Sequence, residues 1–174
     1  MAGTLTVQNI EGPSSGANAN KVIIPSTNSL YAPNHIVQVL TQEITAITTT
    51  TSTSLVASGF TLTITPKSTS SKIKISIGIT GIYMSAQNTA MKMHLYKNGS
   101  FHAYLNDIAG YGITGLNPLQ NSSATHVYVD SPSTTSATTY AIFIATGSGT
   151  LGFNNYATGN NQTRSWFTVE EIAQ

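Results

Sequence analysis

The chemistry open to this 174-residue chain rests on four histidines, six carboxylates and an abundance of hydroxyls. There is no cysteine, and with it no thiolate nucleophile, thiolate metal site or disulfide framework. The most suggestive spacing is that of His94 and His102, either side of Lys97-Asn98-Gly99. A three-residue loop with Gly99 left-handed at a bulge pairs Tyr96 with Ser100, Leu95 with Phe101, His94 with His102 and Met93 with Ala103. That register gathers Met93, Leu95, Phe101 and Ala103 on one apolar face. A two-residue Asn-Gly loop, pairing Leu95 with His102 and Met93 with Tyr104, mixes the faces. The three-residue loop is therefore expected, and it sets His94 beside His102 on the wetter face. Two adjacent imidazoles can bind a transition metal or sense pH. With no third ligand nearby in sequence, His94 and His102 stand as a candidate pair, and no metal or other cofactor is assigned.

The remaining groups do not form a reaction centre in the sequence. Glu170 and Glu171 are neighbours in an extended segment, so they point to opposite faces and cannot work as an acid–base pair. His126 and Asp130 share a face but lie far apart along it. No G-x-S-x-G elbow, H-E-x-x-H, P-loop or C-x-x-C occurs. Gly110-Tyr111-Gly112 has no following helix to make it a phosphate cradle. Three glycosylation sequons, at Asn98, Asn121 and Asn161, are what chance produces in a chain so rich in Asn, Ser and Thr. No catalytic residue is assigned, and the expectation is a non-enzyme.

The elements that must carry these residues read as strands. From Lys72 to Thr80 the sequence alternates strictly. Ile73, Ile75, Ile77 and Ile79 fall on one face, and Lys72, Lys74, Ser76, Gly78 and Thr80 on the other. This predicts the central strand of an antiparallel sheet with one packed face, preceded by a strand that Pro66 ends. Further strands are expected over 36–47, 55–64, 125–130, 139–146, 151–156 and 164–172, with a hairpin over 91–105. Trp166 is expected in the core or at an interface. The stretch 106–123, with three glycines and a proline, reads as a long loop. Its Tyr111, Asn117 and Gln120 are candidates for contact with a receptor or partner. No window has a 3.6-residue period, so the fold class is all-β: an antiparallel β-sandwich, jelly-roll-like. Residues 1–35 hold two short strands split by the loop E-G-P-S-S-G-A-N-A-N and too few apolar residues for a core. They predict an extended N-terminal arm, with Leu5, Val7, Ile10, Val22, Ile23 and Ile24 as attachment residues, and 36–174 as the sandwich domain.

Charged residues make up 7% of the chain, against about 25% for an ordinary soluble domain, and the net charge is +1. That balance offers no electrostatic footing for nucleic acid or an anionic membrane. No apolar run approaches the roughly 20 residues needed to span a bilayer, and the first residues lack a secretory pattern. A surface covered by Ser, Thr, Asn and Gln tolerates close contact with other subunits.

Several stretches in order carry a resemblance. They are G-T-L-T-V-Q-N-I at Gly3–Ile10, K-V-I-I-P-S at Lys21–Ser26 and I-T-P-K-S-T-S-S-K-I-K-I at Ile64–Ile75. D-S-P-S-T-T-S-A-T-T-Y at Asp130–Tyr140 and W-F-T-V-E-E-I at Trp166–Ile172 complete the set. The chain resembles the small all-β virion structural proteins of tailed bacteriophages, especially cyanobacterial and other aquatic phages. The resemblance implies a non-enzymatic protein on the virion surface, made in the host cytoplasm and forming a homotrimer. It implies the major capsid protein or other virion proteins as partners. The expected role is capsid decoration or cement. The alternative is a tail fibre tip or receptor-binding knob that contacts host surface glycan.

Overall fold

The computed structural model describes residues 11–17, 19, 21–23, 32–86, 89–109, 122–154 and 163–174. The chain divides into two compact units, Met1–Tyr31 and Ala32–Gln174. In the first unit the Ala19 N–H donates to the Gly16 carbonyl at 3.1 Å, closing a turn, and Val22 and Ile23 are exposed. Leu5, Val7, Ile10 and Ile24 lie outside the described residues. Asn34 and His35 belong with the second unit, since each exchanges a backbone hydrogen bond with Ala173.

The second unit is an all-β sandwich of two antiparallel sheets, with no helix among the described residues. Its strands are β1 (Ile36–Ile44), β2 (Thr48–Thr50), β3 (Val56–Ile64), β4 (Lys72–Met84), β5 (Ala90–Lys97), β6 (Ser100–Ala109), β7 (Ser122–Asp130), β8 (Thr138–Thr146), β9 (Leu151–Phe153) and β10 (Ser165–Ile172). One sheet has the order β3-β8-β5-β6. In the other, β4 carries β7 on one edge and both β10 and β9 on the other. Thr80 shows why two strands share that edge. Its N–H goes to Ser165 Oγ at the start of β10, and its carbonyl accepts from the Asn154 N–H just past β9. β10 and β9 therefore lie end to end, and β1 and β2 run end to end outside them. Counted as lanes, this sheet reads β1/β2, β10/β9, β4, β7. The strand expected over 36–47 thus ends at Ile44, and after a bend a short further strand forms at Thr48–Thr50.

The bend and the joint share one bolt. Asn154, fully buried with φ 56°, donates from Nδ2 to the carbonyls of Ile44 (2.9 Å) and Ala46 (3.0 Å) and accepts from Ser165 Oγ (2.6 Å). A buried backbone carbonyl left unpaired is costly, and one amide here serves two at the bend between β1 and β2.

The isoleucine alternation holds: Ile73, Ile75, Ile77 and Ile79 are all fully buried between the sheets. The alternation then breaks at a bulge against β7 between Ile79 and Ile82, where Gly81 has φ 59°. One extra residue reverses the parity, so Ile82 and Met84 stay in the core on even numbers. Opposite them the core takes Phe60, Ile64, Met91, Met93, Leu95, Tyr140, Ile142 and Ile144 from the other sheet.

Candidate functional site

The hairpin departs from the expected register. Its loop has two residues, Asn98 (φ 49°) and Gly99 (φ 80°), and the flanking pairs are Lys97↔Ser100 and Tyr96↔Phe101. Both central residues are left-handed, as a primed hairpin turn requires, and the turn is tied to β8 because Asn98 Oδ1 accepts from the Thr139 N–H at 2.8 Å. Two bulges in β6, at His102 and Leu105, then reset the pairing to Leu95↔Ala103 and His94↔Tyr104. Apolar segregation is thereby kept by a different route. Phe101 and Tyr104 both face outward and His102 turns inward, so His94 and His102 do not pair.

His102 instead joins a polar bolt between the sheets. Asp130, buried at the end of β7, receives Lys97 Nζ at 2.7 Å and the Tyr140 hydroxyl at 2.6 Å, and its Oδ1 lies 3.3 Å from His102 Nε2. The His102 ring also packs edge-on to Tyr128 at 5.2 Å. Burial by itself would raise the Asp130 carboxyl. The hydrogen bonds from Lys97 and Tyr140 and the charges of Lys97 and His102 outweigh it, so the carboxyl is held below its ordinary value. Burial and the adjacent carboxylate push the Tyr140 hydroxyl well above its usual range. Tyr140 O–H and Lys97 are thus hydrogen donors to an ionised Asp130 at neutral pH, an arrangement for holding sheets together. Burial also holds His126 below its ordinary value.

Glu170 and Glu171 separate as expected. Glu170 faces outward against Lys74 at 2.7 Å. Glu171 is buried, taking Gln38 Nε2 at 2.6 Å and the Lys67 N–H at 2.7 Å, and so clamps the β3–β4 connection. Among the described residues no group of three His, Asp or Glu is placed to hold a metal. Tyr111, Asn117 and Gln120 lie outside the described residues.

What the described surface does offer is two outer sheet faces that expose large apolar side chains. On the outside of the β4 sheet three rows of direct cross-strand neighbours follow from the registers. They are Val39–Glu170–Lys74–Val129, Thr41–Thr168–Ser76–Val127 and Glu43–Trp166–Gly78–Thr125. Val39, Val127 and Val129 are more than half exposed and Trp166 is 42% exposed. Trp166 is therefore not in the core. Its indole lies over Gly78, where a Cβ would land against Cε2, Cζ2 and Cη2 alike, so only glycine gives the ring this seat. Two ion pairs lie on this face, Lys74 with Glu170 and Arg164 with Glu43 at 2.8 Å, and Lys72 is exposed at its end.

The outside of the other sheet carries a ring cluster. Tyr96 stacks on Phe143 (4.0 Å, 21°), and His94 sits under Phe101 (5.5 Å) and Tyr104 (4.7 Å), both edge-on. Tyr104 is 67% exposed. Sequence reasoning missed both faces. Trp166 shares the parity of Thr168 and Glu170, a signal for facing outward. The cluster depends on the two β6 bulges, which no local pattern announces.

No protein-family model matches the chain, and no curated protein matches it.

Proposed function

We propose that this chain is a non-enzymatic structural protein of a tailed-phage virion, a decoration or cement protein that projects from the capsid as a homotrimer. The observation that carries the reading is the outer face of the β4 sheet. It exposes Val39, Val127, Val129 and a tryptophan among Thr and Ser, and two ion pairs on it, Lys74–Glu170 and Arg164–Glu43, close within the same chain. Val127 and Val129 are neighbours on β7, and the middle row, Thr41–Thr168–Ser76–Val127, holds no charge, as interface centres are depleted of it. The lane orders, first-eighth-third-sixth over second-seventh-fourth-fifth in chain order, we read as a jelly roll, which agrees with the resemblance at Ile64–Ile75, Asp130–Tyr140 and Trp166–Ile172. The segment before Ala32, with Leu5, Val7, Ile10, Val22, Ile23 and Ile24, is the proposed attachment arm.

The ring cluster around Tyr104 and Phe101 favours the second reading, a tail fibre tip or receptor-binding knob, because exposed aromatic rings stack on the apolar faces of sugars. Copy number separates the readings. A calibrated gel of purified virions is expected to show the protein at hundreds of copies per particle. A few copies would move it to the tail, and its absence from virions would overturn the proposal.

A further inference from the structure

We infer that His126 makes β7 an acid-sensitive latch: at neutral pH the strand closes one side of the sandwich, and a proton on His126 loosens it from β4 while its Asp130 end stays bolted. The latch holds whatever the chain is assembled into. Two observations carry it.

The first is the setting of His126. It has the parity of Ala124 and Tyr128, which pack against the core, and it stands in register with the fully buried Ile77 of β4. Its Nε2 is buried and has no hydrogen-bond partner. A neutral imidazole can leave one nitrogen bare, whereas an imidazolium carries a proton on both. Charging this ring therefore puts an unpaired, charged N–H donor against an apolar wall, which is costly. Burial accordingly lowers its affinity for a proton. Among the described residues no charge offsets that cost. On this side β4 presents isoleucines, while Lys72 and Lys74 have the parity of the outer face. β5 brings Lys97, β6 brings His102 and β8 brings Tyr140, and all three gather at Asp130. That carboxylate is four positions along β7 from His126, about 13 Å of extended strand. Asp107 of β6 stands in register with Lys92.

The second is how β7 is held. Among the described residues it pairs only with β4. One end is fixed across the sandwich by Asp130, whose carboxyl is held below its ordinary value and so stays ionised in mild acid. Toward the other end the ladder is interrupted by the bulge between Ile79 and Ile82. Acid thus acts on the middle of a strand bolted at one end, and the strand yields from Ser122. The contribution of His126 is complete above its unfolded value of about 6.5 and is lost as pH falls from there to the lower folded value. At pH 5.5, an opening that brings the ring to water is favoured by up to about tenfold.

Amide hydrogen exchange on the purified full-length protein tests this, followed by NMR at pH 7.5 and pH 5.5 and corrected for intrinsic rates. The protected β7 amides between Ala124 and Val127 should lose up to about tenfold of their protection at pH 5.5. His126→Leu, with no ring to charge, should keep at pH 5.5 the protection it has at pH 7.5, and His102→Gln should still lose it. Equal protection of wild-type β7 at the two pH values, or the same loss in His126→Leu, overturns the inference. So does a loss concentrated at Asp130, or one abolished by His102→Gln alone. Should His126→Leu not fold, His126→Gln carries the same expectation. A wild-type His126 ring that takes up its proton at or above about pH 6.5 in an NMR titration also overturns it.

Discussion

At Asp130 a single carboxylate takes two hydrogen-bond donors, lies close to a third group, and joins two sheets. Lys97, His102 and Tyr140 all come from the sheet opposite to its own. Replacing it with Asn keeps the shape but removes the charge that Lys97 and His102 face, and should cost about 2 kcal/mol in urea unfolding at pH 7. The pH dependence has a definite sign. The folded carboxyl titrates below its unfolded value of about 3.9, so its contribution is complete above that pH and is lost as pH falls through the lower folded value. The stability gap between wild type and Asp130→Asn should therefore be constant above about pH 4 and shrink below it. A gap that widened on acidification would show that the charge is not what holds this end of the sandwich.

Among the elements, the β5–β6 hairpin tests how turn chemistry and tertiary contacts share control of register. Asn98 and Gly99 are both left-handed, and a β-branched residue at Gly99 would be forced into that region at a cost of at least about 1 kcal/mol. Gly99→Val should lower the urea midpoint accordingly, while Gly99→Asn should come close to wild type. Equal loss from both would mean that left-handedness is not the constraint. The same hairpin shows where sequence reading stops. The isoleucine strand was legible because period-2 alternation and a buried face specify each other, and the Asn-Gly pair was legible as a turn. The register was not, because the bulge that turns His102 inward is matched to Asp130, 28 positions away in the chain. Without that contact, the rule of keeping apolar residues on one face favoured the wrong loop length and put Phe101 inside. The double lane of β9 and β10 was hidden for a similar reason. It depends on Asn154, whose partners Ile44 and Ala46 lie more than a hundred residues earlier.

For the whole molecule, the main message of the composition is the shortage of charge, and the structure shows how the little there is has been used. Three ion pairs among the described residues engage Lys74, Lys97 and Arg164 with Glu170, Asp130 and Glu43. Around these few charges the outer faces carry Ser, Thr, Val and aromatic rings. Such a molecule fits a place among neighbours, and the Trp166 face is the most clearly prepared for one. Because Trp166 is the chain's single tryptophan, its emission reports on that face alone. Acrylamide quenching of Trp166 across a dilution series is therefore the most direct test. The account predicts an indole shielded at high concentration whose quenching rises on dilution as copies separate, with the circular dichroism unchanged. An indole equally open to quencher at every concentration, in a protein that stays folded throughout, would contradict it.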